Sequence, residues 1–174
     1  MTRYFVRFVD NLCIVELALS AAIACLIGML VFASAVTRYF FSIPLGFTDE
    51  LVTLSSVLSS LFAMPYAARA GKNISLDFLT SRLSAEMQSN FHRIALMATI
   101  LVVGIFAFYS LEDISYSLHY REVSEVNEIP IAPIKVLSLI ALTSFELALI
   151  SNLLTGEFLT PWPNDHYSQN EPRK

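Results

Sequence analysis

Residues 17–36 read LALSAAIACLIGMLVFASAV, an unbroken run without one charged side chain. A helix rises about 1.5 Å per residue, so a run of this length matches a hydrocarbon core about 30 Å thick. Three more runs of the same character follow: Leu51 to Ala68, Ile94 to Leu111, and Val136 to Leu154, the last interrupted only by Glu146. Lipid offers backbone groups no water, so each run must satisfy its own hydrogen bonds as a helix. The expected fold is an all-α membrane protein of four transmembrane helices, at about 14–37, 49–68, 90–112 and 131–155, in one integral domain over 1–174. Arg3 and Arg7 before the first run, and Ala33-Ser34-Ala35 near its end, resemble a cleaved leader. A leader's apolar region is only about 7–15 residues, so a retained helix is expected instead.

Composition agrees. Of 174 residues 55% are hydrophobic and 15% charged, and the mean hydropathy is +0.60. That is more apolar surface than a soluble domain of this size buries, and the charges cluster between the runs. A net charge of −4 with no basic stripe excludes nucleic acid as a partner. Cys13 and Cys25 show no metal or disulfide spacing and read as small hydrophobes.

Lys and Arg give an orientation. Arg3 and Arg7 precede the first run, Arg69, Lys72, Arg82 and Arg93 join the second to the third, and Arg173 and Lys174 close the chain, against Arg38, Arg121 and Lys135 elsewhere. The positive-inside rule then places both termini in the cytoplasm and the first and third connections outside.

Among the connections, Gly71 breaks a helix and Ser75 can cap a short one carrying Leu76, Leu79, Leu83 and Met87 at helical spacing. It reads equally as an amphipathic helix in the cytoplasmic lipid interface or as an early start to the third span. Ser42 to Gly46 reads as a turn, with Thr48 placed to cap the second helix and Asp49 and Glu50 favourable to its dipole. Beyond the third span, Leu111, Ile114 and Leu118 continue a helical stripe, and Glu122, Glu125 and Glu128 make the outer loop acidic, either as a solvated loop or as a docking surface for an external protein. The polar tail, 160–174, reads as disordered, with Trp162 a candidate interfacial anchor.

Reactive constellations are missing from the sequence: it has no Walker A loop, no HExxH, and no histidines placed to hold haem between helices. Neither an enzyme nor a cofactor is expected. Glu146 is the one charge near mid-span, where a carboxyl is expensive unless neutral or paired. It reads either as a carboxyl that stays neutral or accepts hydrogen bonds from a neighbouring helix, or as a coupling site for transport. Ser55, Ser59, Ala63 and Ala67 form a small-residue face on the second helix, matched by Ala21, Cys25 and Gly28 on the first, as close helix packing requires. Pro65 is expected to kink the second span.

The run Arg38-Tyr39-Phe40-Phe41-Ser42-Ile43-Pro44-Leu45-Gly46-Phe47-Thr48-Asp49-Glu50-Leu51 resembles the small membrane (Q-type) subunit of tripartite ATP-independent periplasmic (TRAP) transporters. That family shows an Arg-Tyr pair, a Pro-Leu turn, an aromatic residue, a Thr, and acids opening the second helix. Gly71-Lys72-Asn73-Ile74-Ser75-Leu76-Asp77 is similar to the motif after its second helix. The family commonly has Trp at the position of Phe47 and His at that of Asn73. The resemblance implies a scaffold in the bacterial inner membrane, in stable complex with a large permease subunit that carries substrate with sodium, and visited transiently by a periplasmic substrate-binding protein. Its substrate class is organic acids such as sialic acid or dicarboxylates. Under this reading Arg38 can pair with Asp49 or Glu50 across the turn, and Ser55, Ser59, Ala63 and Glu146 are candidate packing or interface positions. The competing readings are a small autonomous multidrug-type exporter working through Glu16 or Glu146 and, behind it, a membrane redox subunit.

Overall fold

The computed structural model describes residues 2–42, 46–70, 85–124 and 127–155. Four helices make up nearly all of it: α1 Thr2–Phe41, α2 Thr48–Arg69, α3 Ala85–Tyr120 and α4 Ala132–Thr155. Each is long and apolar enough to cross a membrane. Every expected span lies inside a helix to within one residue. The expected cytoplasmic helix around Ser75, the centre of the Ser42–Gly46 turn, Glu125 and the tail from 160 all lie outside the described residues, except that Met87 belongs to α3.

Two helices are longer than their apolar runs. At about 1.5 Å per residue, α2 and α4 are close to the thickness of a bilayer core, whereas α1 and α3 are about 60 and 54 Å long and must tilt or overhang. Arg7 and Asp10 do not end α1, because neither is a helix breaker and the first turns keep an inward face through Val9 and Cys13. α3 runs past Glu112 and Asp113 until Arg121 takes a left-handed backbone, φ 49°. There the Glu122 N–H donates to the Ser117 carbonyl at 3.0 Å, the pairing that closes a helix in a Schellman motif.

The chain runs up and down. The start of α1 and the end of α4 share one end of the bundle, called here the terminal end, and the α1–α2 and α3–α4 connections share the other, the loop end. α4 packs against all three other helices, α1 also packs against α2, and α3 is held through α4.

The inward positions alternate by three and four residues. On α1 they are Val9, Cys13, Glu16, Ser20, Ile23, Ile27, Leu30 and Ser34; on α4, Ile134, Ser138, Ala141, Phe145, Ala148 and Asn152. This is the heptad spacing of helices that cross at about 20°. The outward positions are large and apolar, among them Phe32, Ile94, Leu101 and Phe106.

Two expected faces are corrected. Ala21, Cys25 and Gly28 of α1 are exposed, and no other described helix comes within 4 Å of where a Gly28 side chain would start. The inward face of α1 is instead the one carrying Cys13, Glu16 and Ser20, because polar groups facing lipid cost more than small apolar ones. On α3, Leu111 and Leu118 are exposed, while Val103, Ala107, Ile114 and Ser117 point inward.

Candidate functional site

At the terminal end, a charged cluster ties three helices together. Arg69, the last residue of α2, is only 2% exposed. Its Nε donates to Asp10 Oδ1 of α1 at 2.8 Å, and a second guanidinium nitrogen meets the same oxygen at 2.7 Å. Another donates to the Asn152 side-chain oxygen of α4. The Asn152 amide in turn donates to the Ala68 carbonyl at 2.8 Å, one of the acceptors left without a partner where α2 ends. The sequence reading placed Arg69 in a connection. It is inside the bundle because Asp10 and Asn152 meet it at the same depth, a coincidence that hydropathy does not register but that their distances from the span ends could have suggested.

Deeper in, Ser20 and Ser59 bond reciprocally across α1 and α2. Ser20 Oγ donates to the Ser59 carbonyl at 2.7 Å and Ser59 Oγ to the Ser20 carbonyl at 3.0 Å. Ser55, Ala63 and Ala67 are half-buried beside them. Glu16, one turn from Ser20, is 4% exposed. The Ser144 side chain of α4 interacts with it, but neither carboxyl oxygen has a partner at hydrogen-bonding geometry. α2 is helical through Pro65, which is buried.

The loop end is organised by Lys135, in the first turn of α4. Its Nζ donates to Ser117 Oγ at 2.7 Å, Glu122 Oε2 at 2.8 Å and Asp113 Oδ1 at 3.0 Å. Ser117 also donates to Glu122. The loop folds back on itself, with Ser124 N–H to Ile129 carbonyl at 2.9 Å and Ile131 N–H to Glu122 carbonyl at 3.1 Å, and with Asn127 donating to Glu50 of α2. Hydrogen bonds first from Lys135 and then from Ser117 hold the Glu122 carboxyl below its ordinary range. Of the acids proposed for docking, Glu122 is therefore engaged within the loop, and Glu128 is exposed on a left-handed backbone, φ 54°.

Arg38 and Asp49 line one pocket of about 200 Å³ with Ser34, Tyr39 and Thr48. Among the described residues, neither Arg38 nor Asp49 forms an ion pair, and Glu50 is bonded to Asn127 rather than to Arg38. Thr48 does not cap α2. Phe47 occupies the cap position without a side-chain bond, and Thr48 is buried with its hydroxyl unpartnered.

Glu146 points away from this interior. Its carboxyl lies in a notch left by Gly104 of α3, where a Cβ would come within 3.0 Å of Oε1. The two residues line an open groove of about 550 Å³, walled otherwise by Ile100, Leu101, Ile105, Phe108 and Tyr109. No hydrogen bond or ion pair reaches Glu146 from any described residue. Both Cys13, buried, and Cys25, exposed, are free thiols, and no metal-binding cluster occurs among the described residues.

A sequence model of the family described as "Tripartite ATP-independent periplasmic transporters, DctQ component" matches residues 27–157. The chain belongs to the DctQ family. Comparison with curated proteins and with solved structures returned no match. As a DctQ component, the protein is the small permease subunit of a TRAP transporter and a multi-pass membrane protein, with partners in a tripartite system. The match spans α2, α3 and α4 and begins within α1, so the charged cluster, the serine pair and the Glu146 groove each draw at least one residue from it.

Proposed function

We propose that this DctQ component is the scaffold of its transporter: it forms a stable heterodimer with the large permease subunit, which moves an organic acid such as sialic acid or a dicarboxylate with sodium, and it stands beside the periplasmic binding protein that delivers the substrate. The observation that carries the scaffold reading is that bonded interior polar groups tie one helix to another. Asp10, Arg69, Asn152 and the Ser20–Ser59 pair bond helix to helix in the half of the bundle nearer the termini. Above them the inward face of α1 is Ile23, Ile27 and Leu30, an apolar plug unsuited to passing ions or carboxylates.

The terminal end then faces the cytoplasm of a bacterial inner membrane. Arg69 is taken up by Asp10, but Arg3, Arg7, Lys72, Arg82, Arg93, Arg173 and Lys174 still outweigh Arg38, Arg121 and Lys135. The loop over 122–131, anchored at Lys135 and displaying Glu128, faces the periplasm, where its acidity suits a transient contact with the binding protein. Arg38 and Asp49 rim the nearby pocket as structural or interface groups, and lipid covers the remaining apolar surface.

The test is co-purification of the tagged chain from its native membrane, with mass spectrometry of what accompanies it. A larger polytopic permease in equal amount is the expected result. Recovery of this chain only, as a homodimer that transports cationic dyes by itself, would establish the exporter reading instead.

A further inference from the structure

Glu146 is a mid-span carboxyl with no hydrogen-bond or ion-pair partner among the described residues, set on the rim of an apolar groove rather than in the bundle interior. We propose that the groove along α3 seats one transmembrane helix of the large permease subunit, and that this helix presents a hydrogen-bond donor, such as an Arg, Lys, Ser or Trp side chain, to the Glu146 carboxyl. The proposal rests on the scaffold reading above and adds to it the face, the residue and the chemistry of the contact.

Three observations lead to it. A carboxyl facing hydrocarbon is costly, and acyl chains carry no donor to relieve that cost. Gly104 is what lets the carboxyl lie out over α3, since a methyl group there would crowd Oε1 at 3.0 Å; a missing side chain beside a polar one is how membrane helices approach closely around a hydrogen bond. Finally, α3 packs mainly against α4, and its groove-lining Leu101, Ile105, Phe108 and Tyr109 are half or more exposed, so the wall is apolar, continuous and left uncovered by the described residues. Complementarity therefore asks for an apolar helix with a single donor. A second copy of this chain supplies that poorly, because it brings an identical acceptor and, on the groove itself, only the Tyr109 hydroxyl as donor.

A photo-crosslinking side chain placed at Leu101 or Ile105, and at Leu26 on the exposed face of α1 as a control, tests this in the co-expressed complex. The expected result is a crosslink from both groove positions, not from Leu26, to one membrane helix of the large subunit that carries a donor. Glu146→Leu is expected to lower recovery of the large subunit roughly three- to twenty-fold, the range of one interhelical hydrogen bond, while Glu146→Gln, which keeps an acceptor, changes it less than about two-fold. Melting of the isolated chain should be the same for all three, since Glu146 bonds to none of the described residues. Crosslinks to lipid, to a second copy, or to the large subunit from Leu26 alone would overturn the proposal, as would unchanged recovery with Glu146→Leu. Failure of the wild-type chain to recover any large subunit would overturn the scaffold reading itself, so the two failures are distinct.

Discussion

Arg69 is tolerated inside a membrane bundle because nearly every direction in which its guanidinium points holds an acceptor. Asp10 takes two of its nitrogens and Asn152 another. Removing one partner of a buried pair leaves the other charge unpaired, at a cost of about 3–5 kcal/mol. Asp10 is 22% exposed, which puts Asp10→Ala toward the low end, about 3 kcal/mol. Unfolding in detergent micelles measures this, and the double replacement Asp10→Ala with Arg69→Met should recover most of the loss. Glu122 gives a pH signature. A carboxyl whose pKa falls on folding binds fewer protons folded than unfolded, so its contribution is complete above its ordinary value of 4.5 and is lost as pH drops through its lower folded value. Proteolysis of the 122–131 loop should accelerate across that acid range, and Glu122→Gln should be cut rapidly at every pH.

At the scale of the element, the three-four spacing of inward positions explains why small replacements matter on some faces and not on others. The Ser20–Ser59 pair sits on the α1–α2 seam, and interhelical hydrogen bonds in membranes average about 0.6 kcal/mol. Ser59→Ala should therefore cost about 0.6 kcal/mol and replacement of both serines about 1 kcal/mol, while Cys25→Ala on the exposed face should change nothing measurable in the same unfolding assay. The end of α3 offers the opposite case. Arg121 holds φ 49°, a conformation that costs an L-residue with a side chain roughly 1–2 kcal/mol and glycine little. Arg121→Gly is expected to raise stability by up to about 1 kcal/mol, which a thermal melt can read. The element boundaries show what hydropathy misses. It marks where apolar runs end, whereas α1 and α3 end where the backbone turns, and charged residues such as Asp10 and Asp113 are carried along inside them.

Taken whole, the molecule is two helices of bilayer length, α2 and α4, flanked by two longer ones. Aromatic residues gather at the loop end, where Tyr39, Phe40, Tyr116 and Tyr120 are exposed as rings at a membrane interface are. With Cys13 and Cys25 replaced, Glu128→Cys should react with a membrane-impermeant thiol reagent added outside intact cells. Labelling only after the cells are opened would reverse the proposed orientation.

Twenty-residue apolar runs were enough to determine four membrane helices, because an unsatisfied backbone leaves a chain in lipid no other form, and the stretch around Arg38 to Leu51 was enough to point to the family. The partners of the polar residues were decided only by the tertiary structure. Asp10, Arg69 and Asn152 lie on three different helices, and Glu146 turns toward Gly104 rather than toward Glu16. Which faces meet depends on helix rotation and crossing, quantities set by packing among all four helices at once and carried by no single stretch of the chain.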